Sequence, residues 1–139
     1  MNTTSAIQVT YFLLRVVTGF LFCQSGGLIL FGWFGGIPGQ PGRPPLMSQI
    51  GIGAVLEFVG GIAIMLGLFT RPVAFILSGM MAVAYWQFHA PNGPWPLQNQ
   101  GVPAILFCFI FLYMAAMGGG DWSLDALIRR KRGHDTNAV

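Results

Sequence analysis

LMSQIGIGAVLEFVGGIAIMLGLF, Leu46 to Phe69, carries one formal charge, Glu57, in an otherwise apolar and glycine-rich run. A helix of about 20 apolar residues crosses the hydrocarbon core of a bilayer, so this stretch reads as a membrane span. No period-2 alternation of the kind a membrane barrel strand shows is present. Backbone polar groups in lipid must be satisfied within the segment, which leaves the helix as its form. Thr70-Arg71-Pro72 then turns the chain tightly, with Pro72 suited to the first turn of a further helix.

Outward from that stretch the same pattern recurs. Apolar segments at about 6–33, 72–89 and 100–118 join the one at 46–69. Between them lie GGIPGQPGRPP (Gly35 to Pro45) and HAPNGPWPLQNQG (His89 to Gly101), whose prolines remove donors and exclude helix. Gly118-Gly119-Gly120 ends the last span. Ser123 then caps a short amphipathic piece at about 122–132, expected to lie at the membrane surface. The expected fold is all-α: one domain over 1–139, a four-helix transmembrane bundle with a short amphipathic C-terminal surface helix.

Composition agrees. The chain has 139 residues, 54% hydrophobic and 8% charged, whereas a soluble domain carries about 25% charged residues. The net charge of +3 comes almost wholly from the cluster Arg129, Arg130, Lys131 and Arg132, the remaining charges nearly cancelling. No basic face extends along the rest of the chain, so a juxtamembrane cluster is expected and nucleic acid is not. MNTTSAIQVTYF lacks a basic start and Arg15 interrupts any signal-type apolar core, so the first segment reads as retained. With four spans, Arg71 and the basic tail share one side and Arg43 lies on the other. Positive-inside counting then puts both termini in the cytoplasm.

Arg15 and Glu57 are the charges inside spans. At 1.5 Å per residue they lie roughly 14 Å and 16 Å from the edges of their segments, both near mid-membrane. Intramembrane charges usually pair or line a cavity. Three readings stand: an ion pair that fixes helix register; an anchor for a quinone headgroup, a substrate or a proton path; or Arg15 reaching inward to the interface with Glu57 protonated. His89, at the outer boundary, is an interfacial histidine or a group that exchanges protons near neutral pH. Gln98 and Asn99 lie in the outer loop and can cap the last span or hydrogen-bond across the bundle. Gln24 and Ser25 read as glue between helices. Cys23 and Cys108 fall in the outer halves of their helices. They are either two buried thiols or a pair, which needs Cα atoms within about 7 Å. Two histidines, one in the charged tail, do not build a metal site.

Together these residues resemble the DoxX family of small four-helix membrane proteins, over nearly the whole chain. The resemblance rests on Arg15 with Gly19, LFGWFGG (Leu30 to Gly36), Glu57 followed by Gly60-Gly61, GLFTRP (Gly67 to Pro72), the stretch from Met80 and Met81 to His89, and GGGDWSLD (Gly118 to Asp125). Two departures stand out. Ile29 occupies a position where the family commonly has Lys, and no acidic residue follows Gly101, where Val102 stands. The resemblance implies a multi-pass protein of the bacterial inner membrane, similar to the membrane subunit of thiosulfate:quinone oxidoreductases. It implies a quinone as the cofactor, none of it covalently bound, and other membrane-protein subunits as partners beside the lipid bilayer. With the family's charges thinned out, an accessory or structural subunit of a quinone-linked membrane redox complex is expected, without independent enzymatic activity. The alternatives are a stand-alone quinone-linked oxidoreductase acting on a small sulfur compound, and an assembly or packing partner of another membrane protein.

Overall fold

The computed structural model describes residues 3–135. Five α-helices follow one another: α1 (Thr3–Phe31), α2 (Gln49–Leu66), α3 (Thr70–Ala84), α4 (Val102–Met117) and α5 (Leu124–Asp135). No strand occurs among the described residues. Among the described residues, three helices are long and apolar enough to cross a membrane: α1, α2, and α3 with its extension to Asn92. The fourth expected span, α4, is apolar but has 16 residues, or about 24 Å of rise.

Local signals explain the boundaries. The Ser48 hydroxyl accepts from Gly51 N at 3.1 Å and caps α2. At the other end Gly67 is left-handed (φ 67°), with Leu68 N bonded to Ala63 O at 2.9 Å and Gly67 N to Ile64 O at 3.1 Å. That is the Schellman arrangement, in which glycine closes a helix by satisfying its last carbonyls. Gly32 leaves α1 in the same left-handed region, so Trp33–Gly35 is a separate 3-10 turn rather than the end of the first helix. The third helix starts at Thr70 and widens into a π turn over Tyr85–His89, followed by a 3-10 turn at Ala90–Asn92.

α1 packs against α2 and α3 against α4, with α2 joining the two pairs. The first contact is backbone on backbone. A Cβ at Gly61 would stand 2.6 Å from Cys23 N and 2.7 Å from Gly19 O, so only glycine fits there. Small residues that let helix backbones meet are the usual solution in lipid, where no hydrophobic force drives helices together. Between the pairs, Phe22, Ile64, Leu77, Phe111 and Met114 form a fully buried core. Phe20, Val59, Phe75 and Phe109 point outward and are half exposed or more, as lipid-facing residues are.

The bundle has two unlike ends. At the turn end meet the start of α1, the α2–α3 turn, the end of α4, and α5. The two proline-rich connections lie at the other, the loop end. The C-terminal helix is amphipathic, as its sequence suggests, but it is also bolted to the α2–α3 turn. Asp125 N bonds to Gly67 O at 2.9 Å, and the Asp125 carboxylate accepts from Phe69 N (2.8 Å) and Thr70 N (2.9 Å), capping α3.

Candidate functional site

Arg15 and Glu57 do not meet. The Arg15 guanidinium is buried and donates to Ile64 O (2.9 Å) and Met65 O (2.8 Å) on α2, and to Trp122 O (2.5 Å). Its Cζ lies 5.5 Å from the centre of the Phe12 ring. Glu57 sits seven residues back along α2 from Ile64, about 10 Å of helix rise away. In place of the ion pair, one of the three readings, Arg15 takes carbonyls at the end of α2, of which Ile64 O also accepts from Gly67 N. Those carbonyls carry the negative end of the helix dipole, and a buried guanidinium satisfies them directly.

Arg15 belongs to a network that fastens the turn end. Tyr11 donates to Gly118 O at 2.5 Å. Arg71 donates to Ala115 O (3.2 Å) and Ala116 O (2.6 Å) at the end of α4. Trp122 packs edge-on against Phe12. In this network two arginines neutralise helix C-termini and one aspartate caps an N-terminus, so the geometry is that of a clamp.

Glu57 belongs to a different place. A cavity of about 610 Å³ lies between α1, α2, α3 and α4 and extends to the loop end. Phe22, Met81 and Phe107 line its depth, and Gln49, His89 and Ile37 its mouth. The volume falls in the range of small-molecule sites, which are mostly apolar with a few placed polar groups. Here those groups are Ser25, Gln49, Glu57 and His89. Ser25 is within hydrogen-bonding reach of the Glu57 carboxylate. The Glu57 Oε2 atom is buried and has no hydrogen-bond partner among the described residues. An orphaned buried carboxylate oxygen is costly unless something supplies a proton or a positive charge.

The remaining expected residues divide. His89 lines the mouth, its ring stacked on Tyr85 and its Nδ1 3.1 Å from Asn99 O. Asn99 is a buried loop fastener: its amide donates to Gly93 O at 2.9 Å and accepts from Gly101 N at 2.8 Å. Gln98 is exposed and lies beside Gly93. Cys23 and Cys108 are both free thiols. The first packs against Gly61, and the second lies 3.6 Å from the Ser78 hydroxyl. Ser25, which the sequence suggests is packing glue, faces the cavity instead. Sequence reasoning missed Gln49, whose amide donates to Gln87 across the mouth. It also missed the π turn at Tyr85–His89, a distortion frequent at functional sites. Ile29, the departure noted in the first helix, stands on the cavity wall as a plain aliphatic chain. No cluster of metal-ligating side chains occurs among the described residues.

Comparison with known proteins fits this architecture. A family model described as DoxX matches residues 10–90. The chain is 38% identical to an uncharacterized protein of Haemophilus influenzae over 123 residues, 83% of this chain and 89% of that protein. It is 30% identical over 116 residues to the inner membrane protein YqjF of Escherichia coli, 74% of this chain and 84% of that protein. No solved structure matches.

Proposed function

Because the chain belongs to the DoxX family of membrane proteins, we propose that it is an accessory subunit of a quinone-linked redox complex in the bacterial inner membrane. In this reading it spans the bilayer four times with both termini in the cytoplasm. Arg71 and the Arg129–Arg132 cluster favour the turn end as the inner side, with Arg43 alone on the other. The loop end and the cavity mouth then face outward. The inner-membrane name of the Escherichia coli relative supports the location.

The observation that carries the reading is the unpartnered Glu57 Oε2 in an apolar cavity. The donor set fits a quinone. Quinone carbonyl oxygens accept hydrogen bonds, and protonated Glu57, the Ser25 hydroxyl and the Gln49 amide can each donate one. A bound quinone supplies two-electron, two-proton redox chemistry. The chain's own part is to orient the headgroup at Glu57 and to exclude water with Phe22 and Phe107. His89 stands at the mouth, beside Asn99 O. Cys23 and Cys108 pack against different neighbours, which disfavours a stand-alone enzyme working through a dithiol. Met47 and Leu97, the most exposed apolar side chains at the loop end, suit contact with a second membrane subunit.

The test is binding of a short-tailed benzoquinone to the protein in lipid nanodiscs. Saturable 1:1 binding is expected. Glu57→Leu should weaken it tenfold or more, while Glu57→Gln, which keeps a donor, should stay within about threefold. Equal binding by wild type and Glu57→Leu would sink the quinone site.

A further inference from the structure

We infer that the same cavity binds lipophilic organic cations, with ionised Glu57 as their counter-charge. This shares the cavity with the quinone reading but not its ligand or its charge state. Quinone binding uses the proton on Glu57, whereas cation binding replaces it.

Three features lead here. First, the carboxylate has no counter-cation among the described residues. Arg15 is bound to carbonyls at the turn end, and Arg43 donates to Phe31 O at 3.0 Å outside the cavity. Position 29, on the wall, is isoleucine. Second, the walls suit a positive charge that has lost its water. Phe22 and Phe107 lie 5.3 Å apart and Phe88 lines the outer part. Aromatic faces attract cations, most strongly where water is excluded. Met80 and Met81 add polarizable sulfur. Third, the space suits a bulky body: about 610 Å³, apolar on most sides. A small hydrated metal ion would leave most of it unfilled and would find one carboxylate where it needs several oxygens. An amine or onium head with an aryl or alkyl body matches both the charge and the walls.

A proton and the cation exclude each other at Glu57, so binding must weaken as pH falls. Of the lining residues, Glu57 and His89 are the ones with ionisable side chains. α1 contributes Ser25, which is uncharged, and α4 contributes Pro103, Ala104 and Phe107. Protonated His89 at the mouth would also oppose a cation, and a variant separates the two contributions.

The probe is tetraphenylphosphonium, whose charge does not depend on pH. Its binding to the full chain in nanodiscs is measured by equilibrium dialysis against empty nanodiscs. Saturable 1:1 binding is expected, weakening up to tenfold per pH unit on the acid side. Glu57→Gln, similar in shape but unable to carry charge, should lose at least tenfold in affinity with an unchanged melting temperature. His89→Gln should retain the pH dependence. Undiminished binding by Glu57→Gln, binding that ignores pH, or no saturable binding to folded protein would each overturn the inference. The quinone reading fails separately, on equal benzoquinone binding by wild type and Glu57→Leu, a result that does not bear on tetraphenylphosphonium.

Discussion

Arg15 shows how one residue can be conspicuous in sequence and still be given the wrong partner. A guanidinium in a membrane span has to be satisfied, and Glu57 is the other charge at that depth. The actual acceptors are main-chain carbonyls at residues 64, 65 and 122. Every residue carries a carbonyl, so no side-chain pattern marks which ones will be free at a helix end. Replacing Arg15 with Leu removes its bonds to Ile64 O, Met65 O and Trp122 O, of which Ile64 O keeps the bond from Gly67 N. Hydrogen bonds to charged groups are worth about 1.5–3 kcal/mol each, and overlapping losses put the cost on the order of 3 kcal/mol. The expected result is a clear drop in melting temperature in nanodiscs, with quinone and cation binding retained at the native fold. A variant as stable as wild type would show that the clamp does not carry stability.

At the level of elements, the helices were legible because their apolar runs have the length a bilayer imposes. What escaped was how they end and join. The π turn at Tyr85–His89 follows from no visible breaker, since the first proline after it is Pro91. The C-terminal helix was legible from Ser123 and its amphipathic run, but nothing in the sequence marked Asp125 as a cap for another helix. In the structure its carboxylate caps the next-door α3 through two backbone amides, beside Phe69, held at φ 48°. A cap of this kind contributes about 1–2 kcal/mol. Asp125→Ala should therefore loosen α5 from the turn. Trypsin should cut at the Arg129–Arg132 cluster several-fold faster, while the core helices stay folded by circular dichroism. An unchanged cleavage rate would mean that α5 is held by its apolar face, where Ala126 is buried.

For the whole molecule, the contrast between a fastened turn end and a hollow loop end has no counterpart in any single stretch of sequence. Ser25, Gln49, Glu57 and His89 come from three elements and converge only when the helix pairs assemble. The orientation proposed for these ends can be measured in intact cells. In a Cys23→Ser, Cys108→Ser background, a membrane-impermeant maleimide should label Leu97→Cys and spare Arg129→Cys until the cells are opened. Labelling in the reverse order would invert the topology and move the cavity mouth to the cytoplasm. α4 is the element on which that topology rests. Its 16 residues cover about 24 Å, so the four-span reading requires the bilayer to thin slightly, or flanking groups to reach outward, at α4.

The hydrogen bond from Arg15 to the carbonyl of Trp122 closes a sequence separation of 107 residues, as does that from Tyr11 to Gly118. The ribosome makes the donors of both bonds more than a hundred residues before their acceptors. During synthesis α1 must enter the membrane with a guanidinium that can reach α2's carbonyls but not yet its third acceptor. The bundle therefore cannot close from its N-terminus onward as it emerges. Its final locking waits until residues 118–122 have emerged, and a ribosome stalled before residue 118 would leave in the bilayer a set of helices with neither fastening made.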